Sequence, residues 1–265
     1  MKTLLNNCLV GALTLAAPLL LWNVSAAGAE ETIGLYENVL SDVEKSVGPA
    51  PRFLGALREL AELLHEQKQD DRAEKILLHA IKINKTGGNE EDEGECLTSL
   101  ADIYHDQKNF EKAKTCSLEA LRIANERGDG WFRKFWPVRY ASKLQQLGKI
   151  ETALKEYPSA EAHYTEAITV IEKAYINKFE DLGRAKRHLA WCLREQGKIE
   201  QASAAYEDCI STIDKAFREP HYSLADTFLG DYEMMLKLAG KTAKAKKVEE
   251  RILRRKKRYL DTSRN

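Results

Sequence analysis

Small and apolar residues recur three or four positions apart along most of the chain, and the recurrence itself repeats. Leu57, Leu60, Ala61 and Leu64 share one helical face, the polar stretch Gln69-Asp70-Asp71 interrupts them, and Ala73, Leu77 and Ala80 resume the pattern. This predicts two helices joined by a short turn. Leu97, Leu100, Ala101 and Tyr104 repeat the order 40 residues on, followed by Lys108-Asn109-Phe110 and then Ala113 and Ala120. Leu189, Ala190 and Leu193, the turn Gly197-Lys198-Ile199, and Ala202, Tyr206 and Cys209 make another unit. Leu229, Tyr232, Leu236, Gly240, Ala245 and Ile252 make a more degenerate last one.

The third unit reads as irregular. Tyr140, Ala141 and Leu144 match the first helix, and Ala160, Tyr164 and Ala167 match the second. Ala141 to Ala160 spans 19 residues where Ala61 to Ala73 spans 12. Because seven residues are about two helical turns, the apolar face stays in phase and a longer hairpin is expected here. Pro158 suits the first turn of its second helix. Alanine where helices cross lets backbones approach, and a large residue one turn away fills the space beside it. No single hairpin buries both faces, so stacking is required.

The Ala-x3-aromatic-x2-small pattern of Ala160, Tyr164 and Ala167, and of Ala202, Tyr206 and Cys209, resembles the tetratricopeptide repeat. Spacings of 40 to 43 residues exceed that family's standard 34 and are similar to its longer-period, kinesin-light-chain-like branch. Ser117 and Glu249 depart from the pattern at the aromatic position, and Glu233 at a small one. The resemblance implies an all-α, right-handed solenoid of about five hairpins over residues 53–260. The units would be 54–87, 94–127, 134–180, 183–216 and 226–259, with 261–265 as a tail. It also implies a non-catalytic scaffold that receives a protein or peptide on an inner surface lined by first helices. The family's carboxylate clamp of Lys, Asn and Arg is not reproduced, since the corresponding positions include Arg58, Glu62, Ser99 and Asp102.

Residues 1–29 read as an export signal: Lys2, an apolar stretch from Cys8 to Trp22, and small residues ending at Ala27 or Ala29. The apolar run of about 15 residues is shorter than the roughly 20 that span a bilayer. The expectation is a cleaved chain in the periplasm or outside the cell. Ile33, Tyr36, Leu40 and Val43 share a face before Gly48-Pro49-Ala50-Pro51, predicting a capping helix and linker over 30–52. Cleavage leaves Cys96, Cys116, Cys192 and Cys209, which allow three disulfide connectivities or act as small buried residues. The acidic, Gly-containing stretch Thr86 to Glu95 reads as a solvated connector.

The formal net charge is +0, with 41 basic and 41 acidic side chains, but residues 241–265 hold eleven basic groups and three acidic ones. The body is acidic and the tail basic. Within the tail, Arg251, Arg254, Arg255, Lys256, Lys257 and Arg258 are expected to point outward, as a solubilising cap or, alternatively, as an adaptor for an anionic membrane surface. Behind an export signal, nucleic acid is not an expected partner.

His65-Glu66 lacks a second His one turn on, and phosphate-binding and nucleophile-elbow motifs are missing, so neither an enzyme, a metal nor a cofactor is expected. The binding candidates are two groups. Arg184, Arg187, His188, Trp191 and Arg194 follow helical spacing on the side assigned to the inner surface, a guanidinium row around one indole that suits acidic or C-terminal groups, unless salt bridges to acids such as Glu62 and Asp102 consume it. Trp131, Phe132, Phe135 and Trp136 form an aromatic cluster that is either packing or, if exposed, a partner patch.

Overall fold

The computed structural model describes residues 33–34, 37–38, 41, 53–85, 87–88, 90–126, 131–174, 179–216 and 222–262. The chain forms two compact units, residues 1–123 and 124–265. In the first lie α1 (Leu54–Glu66), α2 (Asp70–Asn84) and α3 (Glu90–Asp106), and α4 (Phe110–Glu126) runs across the boundary. The second holds α5 (Trp131–Phe135), α6 (Pro137–Ala153), α7 (Tyr157–Lys173), α8 (Phe179–Glu195), α9 (Ile199–Ala216), α10 (Tyr222–Leu238) and α11 (Thr242–Thr262). Apart from α5, the helices pair into consecutive hairpins, the arrangement of an all-α helical-repeat fold.

Five turns of one construction make the hairpins. Each contains a residue with positive φ: Lys68 at 61°, Lys108 at 62°, Lys155 at 63°, Gly197 at 74° and Gly240 at 68°. In the first turn the Lys68 N–H donates to His65 O at 2.9 Å and the Gln69 N–H to Leu64 O at 2.8 Å. The same two bonds recur at Lys155 and Glu156, donating to Thr152 O and Glu151 O. This is a Schellman termination, which satisfies the carbonyls left over at a helix end. The following helix begins at once: Ala73 and Ala160 donate to Gln69 O and Glu156 O.

Aligning on these turns resolves the third hairpin differently from the sequence reading. The residue seven before the left-handed position is Ala61, Ala101, Gly148, Ala190 or Glu233, and the residue five after it is Ala73, Ala113, Ala160, Ala202 or Ala245. The equivalent of Ala61 is therefore Gly148, not Ala141, and the hairpin has the ordinary three-residue turn Leu154-Lys155-Glu156. The surplus residues precede it and contain α5. Ala141 misleads because it lies two turns earlier on the same buried face, fully buried itself. Gly148 is required by contact: a Cβ there would fall 2.8 Å from Cε1 of the buried Tyr164 ring.

Two further expectations are corrected or bounded. The connector predicted over Thr86 to Glu95 gives way to helix at Glu90, because Glu90, Glu91, Asp92 and Glu93 sit in the first turn of α3, where the helix dipole favours negative charge. Of the predicted capping helix, residues 33–34, 37–38 and 41 are described and helical, with Ile33 buried and Glu37 accepting from Arg72 Nη2 of α2 at 2.6 Å. The expected signal, 1–29, lies outside the described residues, as does most of the 42–52 linker.

In the second unit, Ala190, Tyr206, Ile210, Ala225, Phe228 and Tyr232 belong to one core spanning α8 to α11, and Ala160, Tyr164 and Cys192 form another beneath it. Tyr206 and Tyr232 stack at 5.4 Å and 18°. Gly148→Ala should destabilise the protein by about 1–2 kcal/mol, the cost of overpacking less the helix-propensity gain. Gly230→Ala, with nothing within 4 Å of its added carbon, should instead stabilise by about 0.5–1 kcal/mol. Denaturant midpoints of the two variants check the contrast.

Candidate binding groove

The first helices of the third, fourth and fifth hairpins, α6, α8 and α10, line a groove of about 400 Å³ within the second unit. Its walls include Lys149, Arg187, His188, Trp191, Arg194, Tyr206, Asp231 and Met234. Lys149, Trp191 and Met234 are equivalent positions, each six residues before the left-handed turn residue. The same position in the first unit is occupied by Glu62 and Asp102, which line a separate acidic groove of about 250 Å³ with His65 and Glu66. At this repeat position the first unit is acidic, whereas the second carries one lysine and two apolar side chains.

Four of the five predicted α8 residues come together in the larger groove. Arg184 does not line it and pairs along its own helix with Glu180 at 2.5 Å and Asp181 at 3.8 Å. The guanidinium row is not free to receive a ligand as the sequence suggested. Arg187 Nε donates to Asp231 Oδ2 of α10 at 2.5 Å, and its guanidinium lies 5.5 Å from the Phe228 ring. Arg194 is held by the adjacent Glu195. The acids that engage the row are these neighbours rather than Glu62 and Asp102. Lys149, which the sequence reading passed over, has no carboxylate partner among the described residues. Asp231, Tyr206 and Met234 were also missed, although counting six or nine back from each turn glycine would have found Met234 and Asp231.

His188 is neutral. Burial, then the positive charges of Lys149, Arg187 and Arg184, lowers its pKa to about 3. Its Nδ1–H donates to Gln145 Oε1 at 3.1 Å, and its ring lies 5.8 Å from that of Tyr164. The groove therefore carries cationic, aromatic and thioether surface with one embedded carboxylate, a lining for an anionic group beside an apolar one.

The aromatic cluster divides. Phe132 is buried, whereas Phe135 and Trp136 are 57% and 45% exposed; the side chain of Trp131 lies outside the description. The tail divides as well, and the outward reading of two arginines is corrected. Arg251 bonds Glu207 and Asp214 of α9 at 3.3 and 2.8 Å, and Arg255 bonds Asp214 and Asp226 at 2.6 and 3.1 Å. Four-residue spacing turns both toward those acids. Arg254, Lys256 and Lys257 are exposed, and Arg258 lies outside the described side chains.

The four cysteines among the described residues are thiols, Cys96, Cys192 and Cys209 buried and Cys116 half-buried. Burial pushes Cys209 up to about 12 and Cys96 and Cys116 up to about 11, so thiolate chemistry is suppressed. Among the described residues, no group of three or more His, Cys, Asp or Glu could hold a metal ion, and no helix is long and apolar enough to cross a membrane.

Consecutive helical hairpins with alanine or glycine at the crossings and a groove on the first helices define an α-helical repeat protein. A family model, Tetratricopeptide repeat, matches residues 53–126 and 140–215. The chain belongs to the tetratricopeptide repeat family. Its fold is similar to BtubC (BKLC) from P. vanneervenii, with 17% identity, 89% of this chain and 93% of that one covered, and a TM-score of 0.72. It is also similar to a Podosopora anserina putative kinesin light chain with nearly identical TPR-like repeats, at 14% identity, 79% and 97% coverage and a TM-score of 0.66. A Rap protein complexed with Competence and Sporulation Factor aligns at 18% identity over 86% of this chain and 70% of that one, with a TM-score of 0.57. At these identities the likenesses show the fold alone. Comparison with curated protein sequences finds no significant match.

Because the pKa of His188 falls on folding, the unfolded state binds the extra proton first. The stability tied to this residue is complete above about pH 6.5 and is lost as pH falls toward 3. Between pH 7 and 4.5 the wild type should lose on the order of 2 kcal/mol more than His188→Gln, read from urea midpoints at the two pH values.

Proposed function

We propose that the protein is an exported, non-catalytic scaffold that holds an extended segment of another protein along α6, α8 and α10. The carrying observation is the groove itself, in which Lys149, alone among the lining cations, has no carboxylate partner among the described residues, while Trp191 and Met234 offer apolar surface at the next two repeats. An acidic side chain or terminal carboxylate meets Lys149, and a neighbouring apolar side chain lies against Trp191 and Met234. Arg187 and Arg194, fixed by Asp231 and Glu195, supply positive potential rather than direct contacts. Occupation of a similar fold by a factor, as in the Rap complex, supports a binding role.

The exposed cations of α11 serve this reading as the polar outer face of a terminal repeat. A membrane role for the tail is less favoured, because Arg251 and Arg255 are already engaged by Glu207, Asp214 and Asp226.

Affinity capture from the native host, with the wild type beside Lys149→Glu and Trp191→Ala, tests the groove. Each variant should weaken a captured partner by about tenfold or more, the effect of losing a central anchor, with unchanged circular dichroism. A partner retained equally by both variants would refute the groove. Export predicts that the native protein, sequenced from its N-terminus, starts at Gly28 or Glu30 and is found outside the cytoplasm; a cytoplasmic chain starting at Met1 refutes it.

A further inference from the structure

The second helices of the last two hairpins, α9 and α11, enclose a further groove of about 550 Å³, with Ala243 and the buried Val248 in its lining. Lys244, Lys247, Arg251 and Arg254 stand around it. Their spacing of three or four residues puts all four on one face of α11. Arg251 is engaged by acids, Glu207 at 3.3 Å and Asp214 at 2.8 Å. The others are not. Lys244 lies 5.7 Å from the Tyr232 ring, and Arg254 Nε donates to the Glu250 carbonyl of its own helix at 3.2 Å. Neither has a carboxylate partner among the described residues, and Lys247 has no hydrogen-bond or ion-pair partner there.

A groove with uncompensated positive charge selects an acidic protein surface, because interfaces pair potentials of opposite sign. The chain itself supplies one. Six and two residues before their left-handed turn residues, α1 and α3 carry Glu62, Glu66, Asp102 and Asp106, and no later hairpin has acids at both positions. Glu62 is held by Arg58 at 2.5 Å, and Asp106 lies 3.5 Å from His65 Nε2. Glu66 and Asp102 are exposed and have no partner among the described residues. Two lone carboxylates on the first unit therefore answer the lone Lys247 and Arg254 on α11. The whole chain adds no barrier to their meeting: its formal net charge is +0, so copies are not held apart by a common charge. What remains is attraction between unlike ends, because residues 241–265 hold eleven basic groups and three acidic ones in an otherwise acidic chain.

We infer that the groove between α9 and α11 is a docking site for a second copy of this chain, whose α1 and α3 bring Glu66 and Asp102 against Lys247 and Arg254. The contact joins unlike faces, so each copy in a pair keeps one face of each kind available for a further copy. None of the residues that meet lines the groove on α6, α8 and α10, and association leaves that lining untouched.

Sedimentation velocity of the protein, purified as its host produces it and run from roughly 1 to 100 μM, tests the contact. Near 0.01 M salt, where the screening length is about 30 Å, the mean mass should climb with concentration above that of one chain. Near 1 M, where it is about 3 Å, the mass should stay at one chain. Glu66→Lys/Asp102→Lys and Lys247→Glu/Arg254→Glu should each weaken association by about tenfold or more with unchanged circular dichroism, since each sets like charges face to face. Glu66→Gln/Asp102→Asn, which keeps size and removes only charge, should act in the same direction. Combining the two reversals in one chain exchanges the signs of both faces and should restore association. The inference is overturned if the wild type stays at one chain throughout, if either reversal alone associates like the wild type, or if the folded combined variant does not recover. Capture of a different acidic protein by α11 from a wild type that stays at one chain would likewise overturn it.

Discussion

The fold depends on one backbone device, the left-handed residue that ends each first helix and lets the second begin two residues later. Lys68, Lys108, Lys155, Gly197 and Gly240 all adopt it. Once φ is fixed there, the rotation and separation of the two helices follow, and the residue seven before, small in four of the five hairpins, is set against the alanine five after. Every other packing requirement hangs on that register. Tyr164 and Tyr206 can be large because the turn has already set the neighbouring backbone, and Gly148 must be small because the Tyr164 ring occupies its side. Three of the five turns use lysine, which pays a modest strain in this conformation; the tertiary stack over-determines it.

This explains why the repeat was legible in the sequence and its register at one hairpin was not. Alanine and leucine at helical spacing report which face is buried, so the hairpins at 57–80, 97–120 and 189–209 are readable from apolar positions alone. Those positions cannot distinguish two sites seven residues apart, because both lie on the same stripe. Ala141 and Gly148 are both buried, and an alanine matches the expected pattern better than a glycine does. The decisive signal is the turn, yet a lysine at a left-handed position carries no compositional mark. Gly197 and Gly240 do carry one, and both lie in the turns of the last two hairpins.

The groove on α6, α8 and α10 shows the same division. Helical spacing was enough to bring Arg187, His188, Trp191 and Arg194 to one wall, since four residues on one helix share a face wherever the helix goes. What each group can do was not available from spacing, because it depends on side chains from other helices. Asp231, 44 positions away, engages Arg187, and Lys149 from α6 helps hold His188 neutral. The most obvious cations are therefore engaged by neighbouring carboxylates, and the groove's remaining cation is a single lysine on the preceding hairpin.

A repeat protein tolerates such redistribution because its stability resides in neighbour contacts at the crossings, not in the outward row. The position six before the turn is Glu62, Asp102, Lys149, Trp191 and Met234 in the five hairpins, five different side chains on one geometry. The insertion at 131–136 falls between hairpins and leaves both flanking turns intact, with Phe132 buried and Arg133 Nη1 3.0 Å from Glu166. Segments released from packing in this way can carry exposed rings and charges without weakening the fold, and it is on them that the chain differs from a bare stack of hairpins.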